Sequence, residues 1–331
     1  MNEVERLVRQ KLFAEGVKQL ASTFDICMWP ASKCSKSAIR AHSVQNSRVL
    51  DLIHHKGHVV MPRLRTSFSE GPTLQFVEVG RNKATTFTGL CSAHDQQMFA
   101  PIESRPIDAA NAQHLFLVAY RAVLKEAHAS MKSGIDTQTN YLRGADNGLI
   151  PRDEPSAPGL QAVEQMMASY LVHQIKERYD NAFLTQQWSC LNHFLLYLEA
   201  PPGVAVSSFF TTDLWSEETD APAMVSLNVL PYRGKTLAVL SCLTEHSKQV
   251  ETSFDRLLSS RGALQLYELS KLILRKCENI VLSPMLYDAF SHRQKETIAM
   301  YFERNIAGQS FDAEDPQIFL FAPVDPPSSA H

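Results

Sequence analysis

Four residues of metal-ligating type fall in two short pairs in the first third of the chain: Cys27 and Cys34 in DICMWPASKC, then Cys91 and His94 in TGLCSAHDQQMF. Thiolates and an imidazole are the donors of tetrahedral zinc sites, and two close pairs separated by a long insert are the sequence form of such a site. This constrains folding strongly, because a metal shared by both pairs pins two distant segments in one corner. The second pair is a tight Cys-x-x-His. The first has six residues between its cysteines, wider than the usual spacing of about two to four. The alternative is two buried thiols and a coincidental Cys-x-x-His. Four protein ligands would leave no open position on the metal, so zinc here is expected to be structural.

A chain of 331 residues exceeds one typical domain of roughly 100–200 residues. Two regions are expected: a zinc module with a leading helix over 1–105, and a mixed α+β domain of unknown role over 106–331. No apolar run approaches the ~20 residues that span a bilayer, so no membrane partner is expected. The N-terminal segment spreads its charges among Val4, Leu7, Val8, Leu12, Val17 and Leu20, which suits a helix and lacks the apolar block of a signal peptide. The expected location is therefore the reducing cytoplasm, where cysteines serve as metal ligands or buried thiols more often than as disulfides.

The net charge of −3 conceals an asymmetry. Residues 1–105 carry 14 Lys/Arg against 9 Asp/Glu, a balance of +5, leaving −8 on the rest. A basic module on an acidic body suits contact with the phosphates of DNA or RNA, although scattered surface cations also occur simply as solvated faces. Arg40, Arg48, Arg63 and Arg65 are the candidate phosphate contacts.

Element signals follow the same division. GHVVM and TLQFVEV read as strands, with GRNK as a turn after the second, and SAHDQQMFA reads as the start of a helix. Knuckle, strands, then a knuckle opening a helix is the treble-clef order. Beyond it, AANAQHLFLVAYRAVLKEAH and GLQAVEQMMASYLVHQIKERYDNAFL are helical, separated by a loop rich in proline and glycine. CLNHFLLYLEA, GVAVSSFFTTDL, AMVSLNVL and KTLAVLSCL read as antiparallel strands, the last two joined through PYRGK. Three further helical stretches follow. IFLFAPV is expected as a last strand, before a polar tail from residue 325. The fold class is thus α+β, with a treble-clef zinc module followed by helices packed on an antiparallel sheet.

The segments CSKSAIRAHSVQN and FTGLCSAHDQQMFAPIE resemble a family of uncharacterised bacterial proteins with a cysteine-rich start, an Arg-x-His-Ser-x-Gln segment and a Cys-x-x-His-Asp segment running into Phe-x-Pro-Ile-Glu. The likeness covers residues 25–105 and implies an HNH-like treble clef. In HNH nucleases a histidine between the knuckles acts as general base on the attacking water, and the residue after the last zinc ligand holds the catalytic cation. Carried over, His42 would be the base, and Asp95 would hold Mg2+ or Mn2+, for which a carboxylate is a suitable hard donor. Arg40 or Arg48 would stabilise developing charge. This sequence departs from that pattern at Ala41, where a metal ligand is common, and at Thr86, near the expected asparagine; Asn46 and Asn82 could substitute. The resemblance therefore implies either an HNH-like endonuclease or a non-catalytic interaction protein that binds a protein partner through residues 106–331. Treble-clef modules joined to unfamiliar domains recur in bacterial antiphage and toxin systems, and by that analogy a defence role is implied.

Other candidates carry less. HHKGH, with His54, His55 and His58, most simply ends a helix. Cys190, Cys242 and Cys277 have no ligand partner nearby and read as buried thiols. His193, beside aromatics, reads as a core histidine. Glu278, Asn279, Asp288 and His292 are polar but lie in no recognisable motif. No phosphate-loop or dinucleotide fingerprint is present.

Overall fold

Residues 58–67 and 71–80 form the first long hairpin, GHVVM running apolar and TLQFVEV carrying apolar side chains at Leu74, Phe76, Val77 and Val79. The computed structural model describes residues 3–22, 24–31, 34–69, 71–152, 154–216, 221–309 and 314–324. Helix α1 (Glu3–Ala21) leads to a two-residue strand β1 (Ala41–His42), then a π turn (Asn46–Leu50) running into α2 (Asp51–Ile53). Strands β2 (His58–Ser67) and β3 (Gly71–Gly80) precede a second two-residue strand, β4 (Thr86–Phe87), and helix α3 (Ser92–Glu103). Two long helices follow, α4 (Ala112–Asp146) and α5 (Ala157–Thr185). After them come β5 (Leu191–Leu198), β6 (Val204–Ser216), β7 (Ala221–Tyr232) and β8 (Lys235–Leu243). The chain continues through α6 (Ser247–Ser253), α7 (Asp255–Ser259), α8 (Gly262–Lys276), β9 (Ile280–Leu282), α9 (Pro284–Ala289) and α10 (His292–Ile306). The expected α+β class holds.

Seven strands make one antiparallel sheet in the order β3-β2-β9-β6-β7-β8-β5. It runs across residue 105, where a domain boundary was expected, because β9 joins the early hairpin to the later strands. Val60 pairs with Leu282 on one side of β9, and Val204 pairs with the same Leu282 on the other. Strand side chains alternate between faces, and here both faces are covered. Ala205, Phe209, Leu237 and Val239 enter one core with α4, while Val204, Val206, Ala238 and Leu240 enter the other with α8 and α10. This explains the nearly unbroken apolar run of β8, since a strand covered on both sides has no solvent face to alternate with. Ile280, Val281 and Leu282 are all fully buried, each worth about 1.5–3 kcal/mol, which lets a three-residue strand hold the middle of a wide sheet.

The strands between the two Cys/His pairs are arranged differently from expectation. β2 and β3 belong to the large sheet, and a separate two-stranded ribbon is formed by β1 and β4, Ala41 opposite Phe87 and His42 opposite Thr86. The β2–β3 hairpin is an insertion between the ribbon's two strands. IFLFAPV is also not a strand: after a 3-10 turn at Pro316–Ile318, the Phe319 and Ala322 carbonyls accept from the Gln294 amide, and Leu320 N–H donates to Ser270 Oγ. Prolines at 316 and 323 lack the N–H that a ladder needs, and Ile318, Leu320 and Phe321 are buried in the α8–α10 core instead. The polar tail from residue 325 lies outside the described residues. Among the described residues no helix is long and apolar enough to cross a membrane.

Helix α4 begins at Asn111, whose side chain accepts the His114 N–H, and α5 begins at Ser156, capped in the same way with Pro158 in its first turn. Between them Tyr120 donates to Asp180, and Lys176 Nζ sits 2.7 Å from the same carboxylate. His193 on β5 shares a 2.8 Å hydrogen bond with Ser241 Oγ, and burial pushes its imidazole down to about 4 from an ordinary value of 6.5. The neutral ring is therefore favoured in the folded chain. Its contribution is complete above pH 6.5 and is lost as pH falls towards 4, on the order of 3 kcal/mol in total. In urea titrations of zinc-loaded protein, His193→Gln should be less destabilised than the parent between pH 6.5 and 4. Parallel pH profiles would refute this assignment.

Candidate metal centre

The local chain geometry brings the two pairs together before any metal is considered. Met28 N–H donates to the Gly89 carbonyl and Ile39 N–H to that of Leu90, both at 2.8–2.9 Å, so the segment bearing Cys27 lies along the approach to α3. Gly89 permits this fit: a Cβ there would lie 2.4 Å from the Phe87 ring. Cys91 caps α3 in extended conformation, its carbonyl accepting the Asp95 N–H, and His94 falls in the first helical turn.

Cys27 Sγ lies 3.3 Å and Cys91 Sγ 3.4 Å from His94 Nδ1, and Cys34 Sγ lies 3.9 Å from Cys91 Sγ. All four donor atoms lie within 4.8 Å of one another. A tetrahedron with Zn–S of about 2.3 Å and Zn–N of about 2.0 Å has edges of roughly 3.5–3.8 Å, so the cluster has zinc dimensions. Three sulfurs and one imidazole match a closed structural site. Cys27 and Cys91 are buried, Cys34 and His94 half-buried. Burial pushes the Cys27 thiol up. Burial also opposes ionisation of Cys91, but N–H groups at the start of α3 and the neighbouring sulfurs outweigh it and hold that thiol below its ordinary value. The Cys91 N–H donates to Cys27 Sγ at 3.3 Å, an arrangement that favours a thiolate there.

Two aromatics support the centre that the sequence did not single out. Trp29 stacks on the His94 ring, centroids 4.3 Å apart and planes 9° from parallel, and meets Phe183 of α5 edge-on at 5.6 Å. The cluster is thereby fixed to the helical hairpin. Residues of no regular period, such as Trp29, give no pattern signal, and only contact with a ligand reveals them.

His42 sits on β1, its Nδ1 2.8 Å from the Ala84 carbonyl. A carbonyl can only accept, so Nδ1 carries the proton and Nε2 is left as a base. Burial lowers this imidazole below its ordinary value, opposed by the Ala84 contact and helped by the Arg121 charge. Asp95, in the first turn of α3, is raised by burial, with Arg121 acting against the rise and Glu103 with it. His42 and Asp95 thus share the field of one ion pair: Arg121 Nη2 lies 2.6 Å from Glu103 Oε1, its guanidinium 3.9 Å from the Phe99 ring centre. Among the described residues no second group of three His, Cys, Asp or Glu donors assembles. A cation at Asp95 would therefore depend on water and substrate for most of its ligands.

The candidate phosphate contacts divide. Arg40, Arg63 and Arg65 are exposed. Arg48 is half-buried, and its Nε and Nη2 donate to the Glu103 and Ser104 carbonyls at the end of α3. Asn46 and Asn82 bond to each other at 3.1 Å, and Thr86 Oγ1 donates to the Lys83 carbonyl. In HHKGH, His54 Nδ1 accepts the Gly57 N–H and His55 pairs with His58 across a turn, so those rings end a helix. Cys242 and Cys277 are buried thiols, pushed up to about 11 and about 12 by burial; Cys190 is half-buried. Comparisons of the chain with protein-family models, curated proteins and solved structures find no match.

Proposed function

We propose that this is a zinc-stapled protein whose β1–β4 ribbon and α3 face nucleic-acid phosphates, with HNH-like hydrolysis at His42. The observation that carries the reading is the His42 tautomer. Its Nδ1 is committed to a backbone carbonyl, so Nε2 is the free nitrogen of a neutral ring, the state a general base requires. Arg40 lies two residues away on the same strand approach, and Asp95 follows the last zinc ligand, where it would hold Mg2+ or Mn2+ with water and the scissile phosphate as further ligands. Arg48 is left out of this surface because it lines a cavity with Asp108 and Arg233, its Nε and Nη2 holding the end of α3. The test is DNA and RNA cleavage with Mg2+ or Mn2+ together with retention on a phosphate column. Salt-sensitive retention is expected, and His42→Ala should cut at least ~100-fold more slowly while keeping its zinc. Equal cutting by His42→Ala removes the assigned base, and salt-indifferent retention removes the phosphate contact.

A second reading, an interaction protein with a purely structural zinc, is favoured by one surface. Leu160, Val163, Met167, Tyr170 and Leu171 of α5 are each about half exposed and recur at helical spacing, a stripe of the kind that marks protein contacts. In this reading the partner docks on the α4–α5 arm within residues 106–331. Association in sedimentation that Met167→Glu with Tyr170→Glu reverses would favour it; a monomer at all concentrations, with salt-sensitive phosphate retention, would favour the first.

A further inference from the structure

Beside the β7–β8 turn and the π turn, two neighbouring cavities have no role in either reading. The outer one has a volume of about 540 Å³ and the inner one about 30 Å³. Gln45, Val49, Ile107 and Leu230 border both. The outer volume lies in the range of small-molecule sites, roughly 300–1,000 Å³, and the inner one accommodates a single water-sized polar group.

The inner cavity is lined by three side chains that are more than nine-tenths buried and each have an orphaned polar atom: Gln45 Oε1, Ser207 Oγ and Asn228 Nδ2. Buried polar atoms are nearly always paired, so three orphans around one hollow point to a group that completes them. Their roles are set by their other bonds. Gln45 Nε2 donates to the Ile102 carbonyl at 2.9 Å, so the amide is oriented with its oxygen as the free acceptor. Asn228 offers a free N–H donor, and Ser207, opposite it in the β6–β7 ladder, offers a hydroxyl that can do either. The buried Arg121 guanidinium also lines this hollow, but its charge is met by Glu103, so the missing group is neutral and both donates and accepts, as do a hydroxyl, a carboxamide or the amino edge of a nucleobase.

The outer cavity has the other half of the recognition. Arg48 uses two of its five N–H donors on carbonyls, and Arg233 is exposed in the β7–β8 turn beside the Tyr232 ring, 5.1 Å from its centre. Neither has a carboxylate partner among the described residues. Asp108 also lines the mouth, and its Oδ1 accepts the Ala110 N–H. Two guanidinium groups against one carboxylate leave the mouth positive. Leu52, Pro106 and Pro231 supply apolar lining of the outer cavity.

We infer that this pair of cavities binds a phosphate ester of nucleotide size, its anionic end at Arg48 and Arg233 and its neutral hydrogen-bonding end among Gln45, Ser207 and Asn228. The site contains neither His42 nor a zinc ligand, although Ser43 and Arg121 border its inner cavity, and ester affinity is read separately from cleavage.

The test uses full-length zinc-loaded protein titrated calorimetrically with AMP, UMP, glucose 6-phosphate and inorganic phosphate. At least one ester should bind more tightly than inorganic phosphate. Its affinity should fall on the order of tenfold in Arg233→Ala, which removes a charge-assisted contact, and by a similar factor in Asn228→Leu, which removes the buried donor. Zinc content should be unchanged in Arg233→Ala. Because Asn228→Leu could perturb the sheet, Ser207→Ala is the milder second variant, and it should weaken the ester but leave inorganic phosphate unaffected. Three results overturn the proposal: no probe binds at millimolar concentration, inorganic phosphate binds as well as every ester, or the Ser207 and Asn228 variants bind the esters like the parent. The last two would reduce the inner cavity to the seat of an ordered water.

Discussion

Replacing Cys91 by serine should release one equivalent of zinc and produce the largest loss of order of any single substitution near the N-terminus. Cys91 stands at the start of α3 with its sulfur within 4 Å of both Cys34 Sγ and His94 Nδ1, so serine there removes a ligand while leaving a good N-cap. Structural zinc contributes on the order of 10 kcal/mol in small domains that have little else to hold them. Here the large sheet has its own two cores, so the loss should be local: residues 24–40 and the start of α3 should become open to proteolysis while the sheet remains folded. Elemental analysis beside limited proteolysis reads both effects, and a strong chelator acting on the parent should reproduce the variant. If Cys91→Ser retains its zinc and its protease resistance, the four-ligand centre is wrong.

Asp180→Ala should be the most damaging change in the helical hairpin. Lys176 and Asp180 have side chains only 6% and 14% exposed, and Asp180 also accepts from Tyr120, whose hydroxyl is held well above its ordinary pKa by burial and by that carboxylate. Removing the aspartate leaves a buried ammonium and a buried hydroxyl without their partner. Breaking such a pair costs about 3–5 kcal/mol, a fall in Tm on the order of 10 °C for a chain of this size. The pair itself is not a large source of stability, because desolvation offsets its attraction. Lys176→Met combined with Asp180→Leu should therefore recover most of the loss, and a double variant as unstable as Asp180→Ala would contradict this account.

The zinc ligands were legible in the sequence because their chemistry is rare and their spacing short: Cys91 and His94 share one helical turn, and only the wide Cys27–Cys34 gap was ambiguous. Strands β5 to β8 were legible because apolar runs of strand length and the PYRGK turn state them locally. What was not legible depends on distant partners. β9 is three residues long and is a strand only because β2 and β6 flank it. IFLFAPV has strand composition, but its backbone is satisfied by Gln294 and Ser270 side chains. Arg48 looked like any surface cation until the carbonyls at the end of α3 were seen to hold it. Gln45, Ser207 and Asn228 are unremarkable residues, and only their joint burial around a hollow distinguishes them. Asn279 similarly stood in no motif, yet its amide donates to Ser43 Oγ and to the Ser207 carbonyl, linking the ribbon's flank to the sheet.

The position of β9 also sets an order of assembly. During synthesis from the N-terminus, β2 and β3 emerge first, but the strand that joins them to β6 is encoded some 200 residues later. Until Ile280–Leu282 leave the ribosome, two sheet fragments coexist, each with an unsatisfied edge facing the other. Long-range closure of this kind is slow, and open edges are sites of mispairing between chains. The zinc ligands, complete once His94 has emerged, are available much earlier. A metal captured there would therefore order the segment around Cys27 and the start of α3 while the hairpin β2–β3 waits for the last strand of its sheet.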